Sequence, residues 1–140
     1  MSPIELGDYA EQLFAAEVIR RGMLVSSPIA PASPYDWVVD NGRDLLRVQV
    51  KATNDLMKGS RSPRYRIFTT KRQNNDSGRT AYSALEVDFF AAYVHGWETW
   101  FIIPFCSVKS DRVHFSAGKS IGKYAEYKNN WSALTSRENE

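Results

Sequence analysis

An amide and an ammonium group lie two residues apart in one alternating stretch of this sequence. Gln49 and Lys51 alternate with Val48 and Val50 within Leu45–Thr53. Such alternation is typical of a β-strand, in which successive side chains point to opposite faces, so the two polar groups share one face. Taken alone, the pattern more often indicates a strand with one solvated face. With carboxylates nearby, the same face would suit metal-assisted cleavage of a phosphodiester.

Two upstream carboxylates, Asp36 and Glu11, are the candidates to complete such a site. Mg²⁺ prefers oxygen ligands and retains several waters, so Asp36, Glu11 and the amide oxygen of Gln49 are suitable ligands. A lysine beside the metal can orient or help deprotonate the attacking water and offset charge on the phosphate, which is the role predicted for Lys51. Mg²⁺ is the predicted cofactor, with Mn²⁺ as a substitute.

The N-terminal segment is predicted to be an amphipathic helix that carries Glu11. Ser2, Pro3 and Glu5 have the types and spacing of a helix start with a capping box. Gly22 marks the predicted end of the helix. One apolar stripe repeats at helical spacing, through Leu6, Ala10, Leu13, Phe14 and Val18. Glu11 lies beside this stripe, where the helix alone would favour an ordinary glutamate on the flank.

A β-hairpin is predicted to bring Asp36 next to the alternating strand. Tyr35–Asp40 reads as a strand and is followed by Asn41-Gly42, a dipeptide typical of tight hairpin turns. Leu45–Thr53 would be the second strand of the hairpin. With the right register, the side chains of Asp36, Gln49 and Lys51 point into one small volume.

The rest of the chain is predicted to be mainly strands and loops. Further strands are predicted at Met23–Ile29, Arg64–Thr70, Val87–Val94, Thr99–Phe105 and around Val113–Phe115. The apolar strands Val87–Val94 and Thr99–Phe105 are expected to be covered on both faces. Residues 71–80 are interpreted as a basic loop. Asp88 is expected to make a structural hydrogen bond at a strand edge.

An amphipathic helix is predicted at the C-terminal end. Tyr124, Tyr127, Trp131 and Leu134 recur at helical spacing. Their aromatic side chains are expected to pack in the core or to form a contact between subunits, rather than a platform for stacking bases.

Positive charge is concentrated in the middle of the chain. Residues 43–79 contain ten Lys/Arg and three Asp/Glu, whereas the remainder contains eight basic and thirteen acidic residues. Such a segment is either a footprint for a polyanion or a solvated loop, and charge alone favours neither.

The composition indicates a soluble globular protein of one domain, residues 1–140. The chain is 43% hydrophobic and 24% charged. It contains no apolar run of transmembrane length and no signal-peptide pattern, so a cytoplasmic location and no membrane partner are expected. Cys106 has no partner for an internal disulfide, and neither His95 nor His114 lies in a pattern typical of nucleophilic catalysis.

The three groups of residues taken together resemble a known nuclease superfamily. A helix with Glu11, then Pro34-Tyr35-Asp36, then Gln49-Val50-Lys51 resembles the PD-(D/E)XK nuclease superfamily. The later aromatic strands are similar to its group I intron-associated branch, which includes a cyanobacterial homing endonuclease. Archaeal Holliday junction resolvases are more distantly similar. The resemblance implies a single-domain α/β, restriction-endonuclease-like fold, with an N-terminal helix, a mixed central β-sheet and flanking helices.

The resemblance also implies roles for individual residues. Asp36 would be the principal metal ligand and Lys51 the catalytic lysine. Glu11 would be the helix-borne acid of the motif Gly7-Asp8-Tyr9-Ala10-Glu11. Gln49 stands where most of the superfamily has Asp or Glu, and a neutral amide contributes an oxygen but no charge. A second tightly held metal ion is less secure for that reason.

The function implied is that of a Mg²⁺-dependent DNA endonuclease that resembles the homing enzymes. Duplex or branched DNA would be its partner, and two strands to cut would require a symmetric homo-oligomer. The phosphate-contacting residues would be Arg61, Arg64, Arg66, Lys71 and Arg72. A Holliday junction resolvase and a nuclease-fold protein that binds without cutting are the alternatives, and RNA is an open substrate.

Overall fold

A computed structural model describes residues 1–57, 64–72, 79–116 and 122–135, without the side chains of Arg72 and Arg79. The helix and strands within those ranges are α1 (Pro3–Arg20), β1 (Leu24–Ser26), β2 (Trp37–Asp40), β3 (Leu45–Thr53), β4 (Leu56–Met57), β5 (Arg64–Phe68), β6 (Thr70–Arg72), β7 (Arg79–Ala81), β8 (Phe89–Val94), β9 (Thr99–Pro104) and β10 (Arg112–Ser116). Short 3₁₀ segments cover His95–Trp97, Phe105–Ser107, Ala125–Tyr127 and Trp131–Leu134. Within the described ranges, no helix combines the length and apolarity needed to cross a membrane.

The start of α1 confirms the predicted capping box. The Ser2 hydroxyl accepts a hydrogen bond from the backbone N–H of Glu5, and the Glu5 carboxylate accepts one from the N–H of Ser2, both at 3.2 Å. Pro3 occupies the first turn, where its missing N–H costs nothing. The helix ends at Arg20, and Gly22 follows with a φ of 86°, a left-handed conformation that glycine adopts without strain.

A mixed five-stranded sheet forms the centre of the fold, as predicted. Its strand order is β1-β2-β3-β8-β9, with β3 and β8 parallel and the other neighbours antiparallel. The predicted β2–β3 hairpin is present. The Asn41 side-chain oxygen accepts hydrogen bonds from the N–H groups of Arg43 and Asp44, and Gly42 has a φ of 87°. These contacts fix the turn that sets the register of β2 against β3.

The central sheet lies between α1 and a second sheet. On one face, α1 packs through residues that include Phe14 and Val18 against Val48 and Val50 of β3. On the other face, the second sheet, with strand order β10-β5-β4, contributes its inward residues to a separate core. That core includes Ile67, Val113, Val94, Phe101 and Ile103. The central strands β8 and β9 are therefore covered on both faces, which confirms the prediction.

Asp88 ties the start of β8 to β3. Its carboxylate accepts hydrogen bonds from the backbone N–H of Arg47 at 2.8 Å and from the guanidinium group of Arg47 at 3.0 and 3.1 Å. The N–H of Asp88 donates to the carbonyl oxygen of Arg47 at 2.9 Å. The expected structural role of Asp88 is confirmed, because these bonds pin the parallel pair in register.

The predicted C-terminal helix is wrong. Residues 122–135 form two short 3₁₀ segments instead of a continuous helix. Between them, Lys128 bridges to Phe101 of β9, and the N–H of Asn129 donates to the carbonyl oxygen of Trp100 at 2.8 Å. This pairing with the sheet edge requires a φ of 51° at Asn129, which interrupts a helix. Trp131 and Leu134 are buried in the core, so they are not an exposed surface for a subunit contact.

Other segments also differ from the prediction, and the strand expected at Met23–Ile29 covers only Leu24–Ser26. The strand expected at Arg64–Thr70 divides at Thr69, whose N–H and hydroxyl donate to the carbonyl oxygens of Asp111 and Ser110. The segment interpreted as a basic loop contains the strands β6 and β7, which pair antiparallel. This β6–β7 hairpin lies next to the side chain of Lys51, where the sequence predicted only a loop.

Candidate active site

Asp36 lies just before β2 and is fixed against β3 by two hydrogen bonds. Its N–H donates to the carbonyl oxygen of Val48 at 2.9 Å, and its carboxylate accepts a hydrogen bond from the N–H of Val50 at 2.8 Å. The register that pairs Trp37 with Val48 places Asp36 beside Gln49. The hairpin therefore holds one carboxylate next to the polar face of β3.

Glu11 reaches Asp36 from the helix. The indole N–H of Trp37 donates to the carbonyl oxygen of Glu11 at 3.0 Å, which fixes α1 to β2 one residue away from Asp36. The two carboxyl groups share a hydrogen bond. Trp37 thus helps to hold the helix that carries Glu11 against the strand that follows Asp36.

The two carboxyl groups compete for one proton. Burial, the nearby charge of Asp36 and the shared hydrogen bond raise the pKa of Glu11 to about 7. Burial also raises the pKa of Asp36, against the hydrogen bonds from Val50 and Glu11 and the charge of Lys51, which all lower it. Both pKa values are therefore raised, and the shared hydrogen bond contributes to the rise at Glu11 while it opposes the rise at Asp36.

Gln49 and Lys51 extend from the face of β3 opposite to Val48 and Val50. The amide nitrogen of Gln49 lies 3.5 Å from the carbonyl oxygen of Val50, which is the outer limit for a hydrogen bond. Among the described residues, the side-chain oxygen of Gln49 accepts no hydrogen bond. That oxygen is therefore available to a ligand.

Lys51 is held by the β6–β7 hairpin and the residue that follows it. Its ammonium group donates to the carbonyl oxygen of Thr70 at 3.3 Å and to the hydroxyl of Tyr82 at 3.2 Å. The ammonium nitrogen also lies 5.1 Å from the centre of the Tyr82 ring, within the range of a cation–π interaction. The charge of Lys51 also acts on Asp36, where it opposes the rise in pKa that burial causes.

The donor set fits a hard divalent cation. Two carboxyl groups and one amide oxygen are oxygen ligands of the kind that Mg²⁺ prefers, with the remaining positions left to water. Both carboxyl groups have raised pKa values, so they resist being ionised together, and a divalent cation that they held would offset that repulsion. Within the described ranges, no group of three or more His, Cys, Asp or Glu side chains is placed to hold a metal ion, so this pair depends on the amide for a third protein ligand.

A family model for the PD-(D/E)XK endonucleases matches residues 1–134. This chain belongs to that family. It is a nuclease by membership, and nucleases of this family generally use divalent metal ions. No curated protein matches the chain.

Two solved structures are similar to this chain. I-Ssp6803I, described as a bacterial homing endonuclease, has a TM-score of 0.80 and 25% sequence identity, covering 96% of this chain and 93% of its own. Hjc, a Holliday junction resolvase from Archaeoglobus fulgidus, has a TM-score of 0.50 and 14% identity, covering 79% of this chain and 84% of its own. The second likeness concerns the fold alone.

The variant Glu11→Gln is expected to be more stable than the parent protein at neutral and higher pH when no metal is present. The folded-state pKa of Glu11, about 7, lies above its ordinary value of 4.5, so folding favours the protonated form. The parent is therefore fully stabilised below about pH 4.5 and loses stability as the pH rises through 7. The variant should lack most of that loss. Thermal unfolding in EDTA between about pH 5 and pH 8 measures the difference.

Glu126→Gln is the matched control, because Glu126 is exposed and its side chain makes no hydrogen bond or ion pair within the described residues. It should retain the parent's pH dependence. Adding Mg²⁺ at pH 8 should stabilise the parent and the control more than Glu11→Gln. Equal pH profiles for all three proteins would contradict the shared proton.

The predicted DNA-contacting residues occupy different places. Arg61 and the side chain of Arg72 lie outside the described residues. Lys71 lies on β6, where it pairs with Glu86 at 2.7 Å and is 5.5 Å from the centre of the Tyr82 ring. Arg64 and Arg66 lie on β5, on the side of the second sheet that faces away from the central sheet. Their role in DNA contact stays a prediction.

Trp37 and Tyr82 contact the site residues, but the sequence interpretation did not single them out. Trp37 directly follows Asp36 and begins β2, so strand alternation, which turns it to the face opposite Asp36, was the available signal. Tyr82 lies 31 residues after Lys51, in a segment without any motif. No local signal in the sequence could have linked those two side chains.

Proposed function

We propose that this protein is a divalent-cation-dependent DNA endonuclease of the homing type. The observation that carries the proposal is the hydrogen-bonded carboxyl pair, Glu11 and Asp36, beside the polar face of β3 that bears Gln49 and Lys51. The likeness to a bacterial homing endonuclease along nearly the full length of both chains supports the type of substrate.

Asp36, Glu11 and the side-chain oxygen of Gln49 would hold Mg²⁺, with Mn²⁺ as a substitute. When bound, the ion supplies Lewis acidity and a coordinated water of lowered pKa. The chain's own contribution is to fix Asp36 through the N–H of Val50 and to release the proton of Glu11 near neutral pH. A pKa of about 7 places that release within the physiological range.

Lys51 is proposed to offset charge on the phosphate and to orient the attacking water. Its contacts with Thr70 and Tyr82 place the ammonium group between the carboxyl pair and the β6–β7 hairpin. Lys71 of that hairpin lies against the same aromatic ring.

Cleavage of three substrates in Mg²⁺ tests the proposal. A long duplex carrying the recognised site should be cut, whereas a four-way junction and a flapped duplex of unrelated sequence should not. Since the recognised site is unknown, a randomised duplex library followed by sequencing of the cut ends supplies it. Cutting confined to junctions, at paired positions, would replace the homing assignment with a resolvase. The Lys51→Ala variant is the control for contaminating nuclease.

The neutral Gln49 keeps one rival from another class, a protein that binds nucleic acid without cutting it. Calorimetric titration with Mg²⁺ and Mn²⁺, together with nicking of supercoiled plasmid, separates the two functions. An endonuclease should bind at least one of the ions and nick in its presence. Neither binding nor nicking in either metal would favour the binder.

We also propose a symmetric homo-oligomer, because a double-strand cut requires two active sites. The described chain contains one carboxyl pair of the kind described above. Sedimentation of the protein with and without duplex should therefore give an even number of subunits. A monomer that cuts both strands in one encounter would contradict this part of the proposal.

A further inference from the structure

Four basic or ionisable side chains share the outer face of the second sheet. In β5 and β10 the alternate residues Ile67 and Val113 are buried against the central sheet. Strand alternation therefore turns Arg64 and Arg66 outward on β5, and Arg112 and His114 outward on β10. The register pairs Arg66 with His114 and Arg64 with Ser116, so these groups are close neighbours across the strands.

These side chains meet at a cavity with no acidic lining. A cavity of about 310 Å³ opens beside β10, and Arg64, Arg112, His114, Ser116 and Lys123 contribute to its walls. Among the described residues that line it, none is Asp or Glu. Hydrogen-bond donors and positively charged groups therefore converge on this cavity, and no carboxylate among the described lining residues offsets their charge.

The nearby carboxylates lie elsewhere. Asp55 pairs with Arg66, at 2.8 Å, and Asp111 pairs with its neighbour Arg112, at 3.4 Å, in contacts that are largely exposed. Arg64 has no ion pair within the described residues, and its Nε–H is buried without a hydrogen-bond acceptor. Buried donors are normally satisfied, so an unsatisfied guanidinium N–H indicates an absent acceptor.

His114 reports the excess of positive charge. Burial and then the charges of Arg64, Arg66 and Arg112 lower its pKa. An anion in the cavity would reverse the effect of those three charges. The imidazole is therefore a built-in reporter of anion binding at this face.

We propose that this cavity binds a phosphate group, supplied by the backbone of a nucleic acid outside the segment that is cut. Guanidinium groups match the oxygens of phosphate in pairs, and Ser116 and Lys123 add further donors. A tetrahedral anion with up to two charges suits several converging donors better than a planar carboxylate does. A free phosphate or a small phosphorylated molecule shares this chemistry.

The cavity is separate from the carboxyl pair. The second sheet lies between the outer face and the polar face of β3, and packed sheets are about 10 Å apart. A phosphate held by Arg64 therefore cannot be the one beside Lys51. The nucleic-acid source rests on the proposed function, whereas the phosphate site itself does not.

The first experiment is a phosphate titration of metal-free protein, monitored by NMR of the histidine rings. The chain has two histidines, so His95 serves as an internal control for His114. Inorganic phosphate should shift the His114 signals saturably, and sodium chloride and acetate at the same ionic strength should not. Arg64→Gln and Lys123→Gln should weaken the response, while Arg43→Gln, an exposed cation in the β2–β3 turn, should leave it unchanged. No saturable shift, or an equal shift with acetate, overturns the proposal.

The second experiment identifies the source of the phosphate. Binding of a duplex in EDTA is measured by fluorescence anisotropy over a range of salt concentrations. A plot of the logarithm of the binding constant against the logarithm of the salt concentration has a slope that reflects the number of phosphate contacts. Loss of one contact in Arg64→Gln or Lys123→Gln should reduce the magnitude of that slope by about 1, whereas Arg43→Gln should leave it unchanged. An unchanged slope together with a positive phosphate titration rejects the nucleic-acid source and assigns a free phosphate. Lys123 is exposed, so its variant tests the site even if Arg64→Gln fails to fold.

Both experiments omit the divalent ion and need no cleavage. A protein that binds phosphate at this face but never cuts DNA would retain the site and lose the proposed function. A protein that cuts DNA, but whose His114 signals do not respond to phosphate, would retain the proposed function and lose the phosphate site. The two proposals can therefore fail separately.

Discussion

Asp36→Asn should reduce cleavage in Mg²⁺ by on the order of 10³-fold or more. The asparagine oxygen can still accept the hydrogen bond from the N–H of Val50, so the β2–β3 hairpin should stay intact. What is lost is the negative charge that is proposed to hold the cation. Lewis-acid stabilisation by a metal is worth several kcal/mol, and each 1.4 kcal/mol is about tenfold in rate. Single-turnover cleavage at saturating DNA measures the effect.

Asp44→Asn is the matched control for this variant. Asp44 is an exposed carboxylate in the turn of the same hairpin, and no hydrogen bond or ion pair of its side chain is present in the described structure. It should cut DNA like the parent. Calorimetry should then find weakened Mg²⁺ binding for Asp36→Asn alone. Cleavage by Asp36→Asn at the parental rate would remove Asp36 from the metal site.

The carboxyl pair could be predicted because its geometry depends on local signals. The capping box and the apolar stripe determine where α1 starts and which face it buries, and so place Glu11 at the edge of that face. The Asn-Gly turn and strand alternation determine the register that brings Asp36 to β3. Two local rules therefore position both carboxyl groups, although they are 25 residues apart in the chain.

The surroundings of Lys51 could not be predicted in the same way. Its contacts come from Thr70 and Tyr82, which depend on how the β6–β7 hairpin packs beside β3. Long-range contacts between loops and strands leave no periodic signal. The prediction of a C-terminal helix was wrong for a related reason. Near Asn129 the chain pairs with the edge of β9, and this long-range contact overrides the helical spacing of the apolar residues.

The separation of the basic residues also changes the meaning of the charge pattern. In the sequence, Arg64, Arg66 and Lys71 belong to one basic segment. In the fold, the two arginines lie on the outer face of the second sheet, whereas Lys71 lies against the Tyr82 ring, which Lys51 also contacts. The basic segment of the sequence is therefore divided between two surfaces of the fold, one near the carboxyl pair and one on the outer face of the second sheet.

Lys51→Met should lower the cleavage rate by about 10²- to 10⁴-fold, the usual range for a residue that assists proton transfer. Methionine keeps an unbranched apolar chain beside the Tyr82 ring, so packing should be preserved while the charge is lost. The pKa of Asp36 should rise further, because the charge of Lys51 lowers it in the parent. Single-turnover rates across pH, with duplex binding measured in parallel, test both effects.

Tyr82→Phe distinguishes the charge of Lys51 from its placement. The variant keeps the ring that lies against Lys51 and removes only the hydroxyl that accepts its hydrogen bond. The rate should fall less than in Lys51→Met, by about tenfold, the value of one lost hydrogen bond to a charged group. A full loss in Tyr82→Phe with unchanged folding would instead make the hydroxyl the essential group, and parental activity in Lys51→Met would remove Lys51 from the reaction.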